Sequence, residues 1–138
     1  MKSAEDRKKR ILVVDDEHDF ASLIESILQE EGYDVTVAYD ADHALERLRD
    51  WSPDMVTLDI RMPSKSGLLL YRQLKSCLEF CDIPVVLVSG VTREDPRAKI
   101  MIQPFLEADH VPLPQALLEK PLEREDLVRV VYDVLGHA

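Results

Sequence analysis

Ile11-Leu12-Val13-Val14-Asp15-Asp16 is a short, unbroken apolar run that stops abruptly at two acids. Four consecutive apolar residues bounded by charge fit a strand buried on both faces, the kind found in parallel sheets covered by helices. Downstream, Phe20, Leu23, Ile24, Ile27 and Leu28 recur at helical spacing, and Gly32 supplies a stop. Val35 to Ala38 reads as a second strand and Ala41 to Asp50 as a helix with Ala44, Leu45 and Leu48 inward. Met55-Val56-Thr57-Leu58 is a third strand ending at Asp59. A helix is expected over 67–80, carrying Leu70, Leu74, Cys77 and Leu78. Pro84 then introduces Val85-Val86-Leu87-Val88, which ends at Ser89-Gly90. Residues 91–115 break the rhythm: with Pro96, Pro104, Pro112 and Pro114, only a short helix between Pro96 and Gln103 fits. Ala116 to Glu119 is a weaker fifth strand before Lys120-Pro121. A last helix from about Glu123 to Leu135 places Leu127, Val130, Val131 and Val134 inward. Strands alternating with helices imply an α/β fold with a doubly wound, five-stranded parallel sheet and helices on both faces.

Composition narrows the function. At 138 residues there is room for one domain. Acids outnumber bases 27 to 17, for a formal charge of −10, which argues against a nucleic-acid surface. No apolar run approaches 18 residues, and the N-terminus lacks a signal-peptide core, so no membrane contact and a cytoplasmic location are expected. Cys77 and Cys81 find no partner histidines at metal-binding spacing and read as reduced thiols. Arg7-Lys8-Lys9-Arg10 reads as a solvated basic arm.

In an open parallel sheet, ligands bind beyond the carboxyl ends of the strands. The residues leaving those ends are Asp15 and Asp16 from strand 1, Asp59 from strand 3, Ser89 from strand 4 and Lys120 from strand 5. Converging carboxylates repel one another, and a hard divalent cation with oxygen ligands, of which Mg²⁺ is the best match, relieves the repulsion. Asp15 and Asp16 also suit the start of the following helix, so for that pair capping and ion binding stand side by side. Asp59 precedes Arg61-Met62-Pro63, where no helix needs a cap.

These motifs together resemble the receiver domain of bacterial two-component response regulators. The residues that carry the resemblance are Ile11 to Glu17, Asp54 to Asp59 with Pro63 and Gly67, Pro84 to Gly90, and Lys120-Pro121. It implies a flavodoxin-like sheet of order 2-1-3-4-5, with residues 1–9 a basic N-terminal arm and 10–138 the receiver domain. It further implies that Asp59 accepts a phosphoryl group and that Asp15, Asp16, Asp59 and the backbone carbonyl of Arg61 hold Mg²⁺. Ser89 and Lys120 would contact the phosphoryl group, and the Lys120–Pro121 bond would be cis. The implied partners are a sensor histidine kinase or phosphotransfer protein, a downstream protein target on the 91–135 face, and a second copy of the chain. The protein would thus be a phosphorylated signalling protein rather than an enzyme acting on other substrates.

The sequence departs from the family pattern in three places, one of them Arg61 with Gly90-Val91, which flank the path of attacking water and would tune the lifetime of the phosphoryl group. Leu117 stands where the family usually has an aromatic residue, so the switch that depends on that ring is in doubt. The interval from Ser89 to Lys120 is long and proline-broken; within it Ile100, Met101, Ile102 and Phe105 are candidates for a partner-specific patch or for packing on the sheet. A flavodoxin is excluded because Asp15-Asp16-Glu17 puts negative charge where a flavin phosphate would sit. A haloacid-dehalogenase-type phosphatase wants an acid at the position of Arg61, and a P-loop nucleotidase lacks its glycine-lysine motif. The remaining rival is a receiver-like interaction module that no longer depends on phosphorylation.

Overall fold

A computed structural model of the chain describes residues 8–60, 67–89, 112–120 and 122–135. The elements are β1 (Arg10–Val14), α1 (His18–Glu30), β2 (Asp34–Ala38), α2 (Ala41–Trp51), β3 (Met55–Asp59), α3 (Gly67–Lys75), β4 (Val85–Ser89), β5 (Ala116–Glu119) and α4 (Arg124–Leu135). All strand pairs are parallel, in the order β2-β1-β3-β4-β5. The expected flavodoxin-like, doubly wound sheet is therefore what forms, with four helices among the described residues. The helix expected between Pro96 and Gln103, and the patch at Ile100, Met101, Ile102 and Phe105, lie outside the described residues.

Period-two alternation divides each central strand between two cores. Leu12 and Val14 of β1 join Val56, Leu58 and Leu87 under α2 and α3, with Leu48, Leu70 and Leu74 inward. Ile11 and Val13 face the other way, onto Ile24, Ile27 and Leu28 of α1 and Leu127 and Val131 of α4. Each of these aliphatic side chains contributes roughly 1.5–3 kcal/mol on burial, so β1, β3 and β4 form a rigid base for whatever extends past their ends.

Two core expectations need correction. The helix expected over 67–80 ends at Lys75. The Lys75 ammonium turns back to donate to the carbonyls of Cys81 (3.1 Å) and Ile83 (2.7 Å), holding a compact turn in place of further helix. Cys77 still packs on the core from this turn, but Leu78 is 95% exposed. On α1, Leu23 lies on the solvent flank of the apolar stripe and is half exposed. Farther round the sheet, the Tyr71 hydroxyl donates to the Pro112 carbonyl at 2.6 Å, tying α3 to the segment entering β5. Burial pushes that phenol up to about 12.

Candidate functional site

Register brings the chemistry together. Val14 pairs with Leu58, so Asp15 and Asp59 leave adjacent strands at the same level. Asp59 pairs with Val88, and Ser89 with Glu119, so the Ser89 backbone and Lys120 follow one step farther out. Glycine makes the return to α3 possible: a Cβ on Gly67 would run into the Asp59 carbonyl oxygen and lie 2.7 Å from Ile60 Cα. The Gly67 amide instead donates to the Ile60 carbonyl at 2.8 Å, fixing the chain directly beneath the Asp59 backbone.

Asp15, Asp16 and Asp59 each offer one carboxylate oxygen, and these three oxygens lie within 4.8 Å of one another. Asp15 is 2% exposed and Asp59 4%, whereas Asp16 is partly open to solvent. At an effective dielectric constant near 20, two such charges repel by roughly 3 kcal/mol. Burial accordingly raises the Asp15 carboxyl above its ordinary value, although a hydrogen bond from the Glu17 amide and the charge of Lys120 pull the other way. Across the pocket, the Lys120 ammonium lies 3.1 Å from Asp15 Oδ2, 3.4 Å from Glu17 Oε2 and 3.6 Å from Asp59 Oδ2. Burial alone would lower the Lys120 pKa, but the carboxylates of Asp59, Asp15 and Glu17 together outweigh it and hold the group above its usual value. Among the described residues, one ammonium against three clustered carboxylates leaves an excess of negative charge at the pocket.

The capping alternative for Asp15 and Asp16 finds little support. Asp15 Oδ1 accepts from the Glu17 amide at 2.9 Å, a turn two residues long that precedes the helix. Glu17 itself occupies the N-cap of α1, yet its side chain makes no capping hydrogen bond and is directed to Lys120 instead. The acids are thus kept at the pocket rather than consumed by the helix end. At the rim, the rings of His18 and Tyr39 stack with centroids 3.9 Å apart.

A family model for the response regulator receiver domain matches residues 11–132. The chain belongs to the response regulator receiver domain family. Among solved structures, the receiver domain of NtrX from Brucella abortus is 32% identical, with 93% of this chain and 99% of that one covered and a TM-score of 0.73. The signal receiver domain of a signal transduction histidine kinase from Syntrophus aciditrophicus is 28% identical, covering 93% of this chain and 90% of that one, with a TM-score of 0.79. A CheY-like receiver domain protein from Methanospirillum hungatei JF-1 is 24% identical over 94% of this chain and 95% of that one, a likeness of fold with a TM-score of 0.79.

Of the residues expected at this receiver's site, Asp15, Asp16, Asp59 and Lys120 come together. For Ser89 only the backbone position is described, and Arg61 and Pro121, with the expected carbonyl ligand and cis bond, lie outside the described residues. Leu117 is half-buried on β5 and packs on the α2/α3 core. Trp51 sits at the opposite edge of the sheet, where its carbonyl accepts from Arg10 Nη1 at 2.6 Å. Two residues at the pocket escaped the sequence reading. Glu17 was visible only as the last acid of a motif. Phe20 looked like one more member of the α1 stripe, but its ring centroid lies 4.2 Å from the Lys120 ammonium.

Proposed function

We propose that this receiver domain accepts a phosphoryl group on Asp59 from the phosphohistidine of a histidine kinase or phosphotransfer protein, and signals through altered protein–protein interaction. The observation that carries the reading is the pairing of a nearly buried Asp59 with the Lys120 ammonium 3.6 Å away, beside two further carboxylates. The donor set fits Mg²⁺: it is all oxygen, clustered, and carries more negative charge than Lys120 neutralises. Asp15, Asp16 and Asp59 would hold the ion, which when bound supplies positive charge that offsets repulsion between carboxylates and an incoming phosphoryl group.

The rest of the chemistry belongs to the chain. One Asp59 carboxylate oxygen forms the new O–P bond as the donor's P–N bond breaks, and the imidazole leaves with that bond's electron pair. The transition state spreads charge over the equatorial oxygens, so positioning and counter-charge supply most of the catalysis. Lys120 is placed to take one of those oxygens, exchanging a carboxylate contact for a phosphoryl one. The product is an acyl phosphate, which water cleaves, so the mark is temporary. Ser89 and the Arg61 carbonyl keep their proposed places as phosphoryl and ion contacts. A helix long and apolar enough to span a membrane is absent among the described residues.

A receiver-like module that has dropped phosphorylation would draw on Leu117 in place of an aromatic switch residue. The assembled Asp59–Lys120 pair weighs against it. Incubation with Mg²⁺ and a small acyl-phosphate or phosphoramidate donor is expected to add one phosphoryl mass increment, absent in Asp59→Asn. No increment, or one that survives Asp59→Asn, overturns the reading.

A further inference from the structure

Lys120 faces a choice of partners. Its nearest carboxylate is Asp15 at 3.1 Å, then Glu17 at 3.4 Å, with the acceptor Asp59 third at 3.6 Å. Glu17 is 64% exposed in its side chain, so it draws the ammonium toward water, where a single ion pair holds a lysine only weakly. The lysine stem has several rotatable bonds and no planar fork to fix its direction. The carboxylates alone therefore leave the ammonium several alternative positions.

Phe20 supplies the missing surface. It is the third residue of α1 and the outermost member of the stripe that continues through Ile24, Ile27 and Leu28 into the α1/α4 core. The core thus ends at the Phe20 ring, where the pocket begins. The ammonium lies 4.2 Å from the ring centroid, inside the range of a cation–π contact. The partly desolvated setting strengthens that attraction, because the Lys120 side chain is 16% exposed. A leucine would serve packing about equally well; only an aromatic face also attracts the ammonium without competing for its hydrogen-bond donors.

We propose that Phe20 is a positioning residue for phosphoryl acceptance: its ring face holds the Lys120 ammonium within reach of Asp59 and against the outward pull of Glu17. The inference rests on Asp59 being the acceptor, and concerns how Lys120 is aimed at it. The test compares initial rates of phosphorylation by a small acyl-phosphate donor with Mg²⁺ in the whole chain. Phe20→Leu is expected to slow transfer roughly three- to ten-fold while thermal unfolding changes little. Phe20→Tyr, which keeps a ring face, should stay within about twofold of the wild type. In a Lys120→Met background, Phe20→Leu should cost nothing further, as expected for residues that act as one unit. NMR supplies a readout independent of transfer: the Lys120 side-chain protons nearest the ammonium should be shifted upfield by the ring, and return downfield in Phe20→Leu alone. Leucine as fast as phenylalanine, tyrosine as slow as leucine, equal losses in both backgrounds, or absence of the ring-dependent shift each overturns the proposal. A wild-type chain that accepts no phosphoryl group would instead overturn the acceptor reading, so the two failures are distinguishable.

Discussion

The two edges of the sheet treat charge in opposite ways. At the amino edge Asp54, Arg10 and Lys75 have local structural purposes. Asp54 Oδ2 accepts from the Arg10 amide at 2.8 Å, Arg10 Nη1 donates to the Trp51 carbonyl, and Lys75 spans the carbonyls of Cys81 and Ile83. These groups finish strand ends and turns, each meeting a nearby backbone group, although Arg10 Nε is buried without a hydrogen-bond partner of its own among the described residues. At the carboxyl edge, among the described residues, the same residue types converge in excess of one sign, two of the carboxylates nearly buried, around a single ammonium. At one edge backbone amides and carbonyls partner the charged groups named and complete the fold, whereas the unbalanced, desolvated carboxylates at the other raise its energy until a cation arrives. That contrast, more than any single residue, distinguishes scaffold from site.

The contrast can be broken in three ways, beginning with the largest effect. Gly67→Ala should cost about 3 kcal/mol in chemical denaturation, because the added methyl meets the backbone at Asp59 and Ile60 with no flexible side chain to yield. A change below about 1 kcal/mol would mean that the carboxyl edge tolerates movement that its proposed chemistry does not.

Asp15→Asn should next separate stability from ion binding. At a Mg²⁺ concentration of 100 times its dissociation constant the wild type should gain about 2.7 kcal/mol of stability, and the variant far less. Without the ion, the variant should be the more stable of the two at neutral pH. Burial holds the Asp15 carboxyl above 3.8, so the folded state binds that proton more tightly than the unfolded chain. The penalty on the charged form is therefore fully present above the folded pKa and is relieved as pH falls toward 3.8. Asn at this position removes that contribution, which urea titrations across the acidic range would detect. Identical ion-free profiles for the two proteins would remove the claim that the pocket is strained.

The smallest effect belongs to the opposite edge. Lys75→Met keeps the aliphatic stem and strips two carbonyls of their donor, so it should cost about 1–2 kcal/mol. Mg²⁺ stabilisation should be unchanged in this variant. Should Lys75→Met weaken the ion as strongly as Asp15→Asn, the division of labour between the edges fails.

Most of the scaffold was legible in the sequence because a buried parallel strand leaves a short apolar run with a polar or turn-forming boundary, and in β1, β3 and β5 that boundary is a charge. The ends of those runs also gave Asp15, Asp16, Asp59 and Lys120, since the carboxyl edge of such a sheet is where side chains meet. What periodicity cannot register is the end of a helix whose apolar spacing continues into a turn. Cys77 and Phe80 go on facing the core after Lys75 has closed the backbone, so α3 looked longer than it is. Nor can it separate two uses of one residue. Phe20 obeys the core spacing of α1 and carries a cation as well, and only the placement of Lys120, a hundred positions downstream, reveals the second use. Glu17 was obscured for the same reason: an acid at a helix start has an obvious local purpose, which here it does not serve.

The Glu17–Lys120 contact joins residues 103 positions apart, and Asp59 falls between them in sequence. A denatured chain therefore separates Asp59 and Lys120 from each other and from the Asp15–Glu17 run, and no short peptide cut from the sequence retains the ensemble. Phosphoryl labelling of Asp59 would in that case count native molecules only, making the site its own gauge of how much of a preparation is correctly folded.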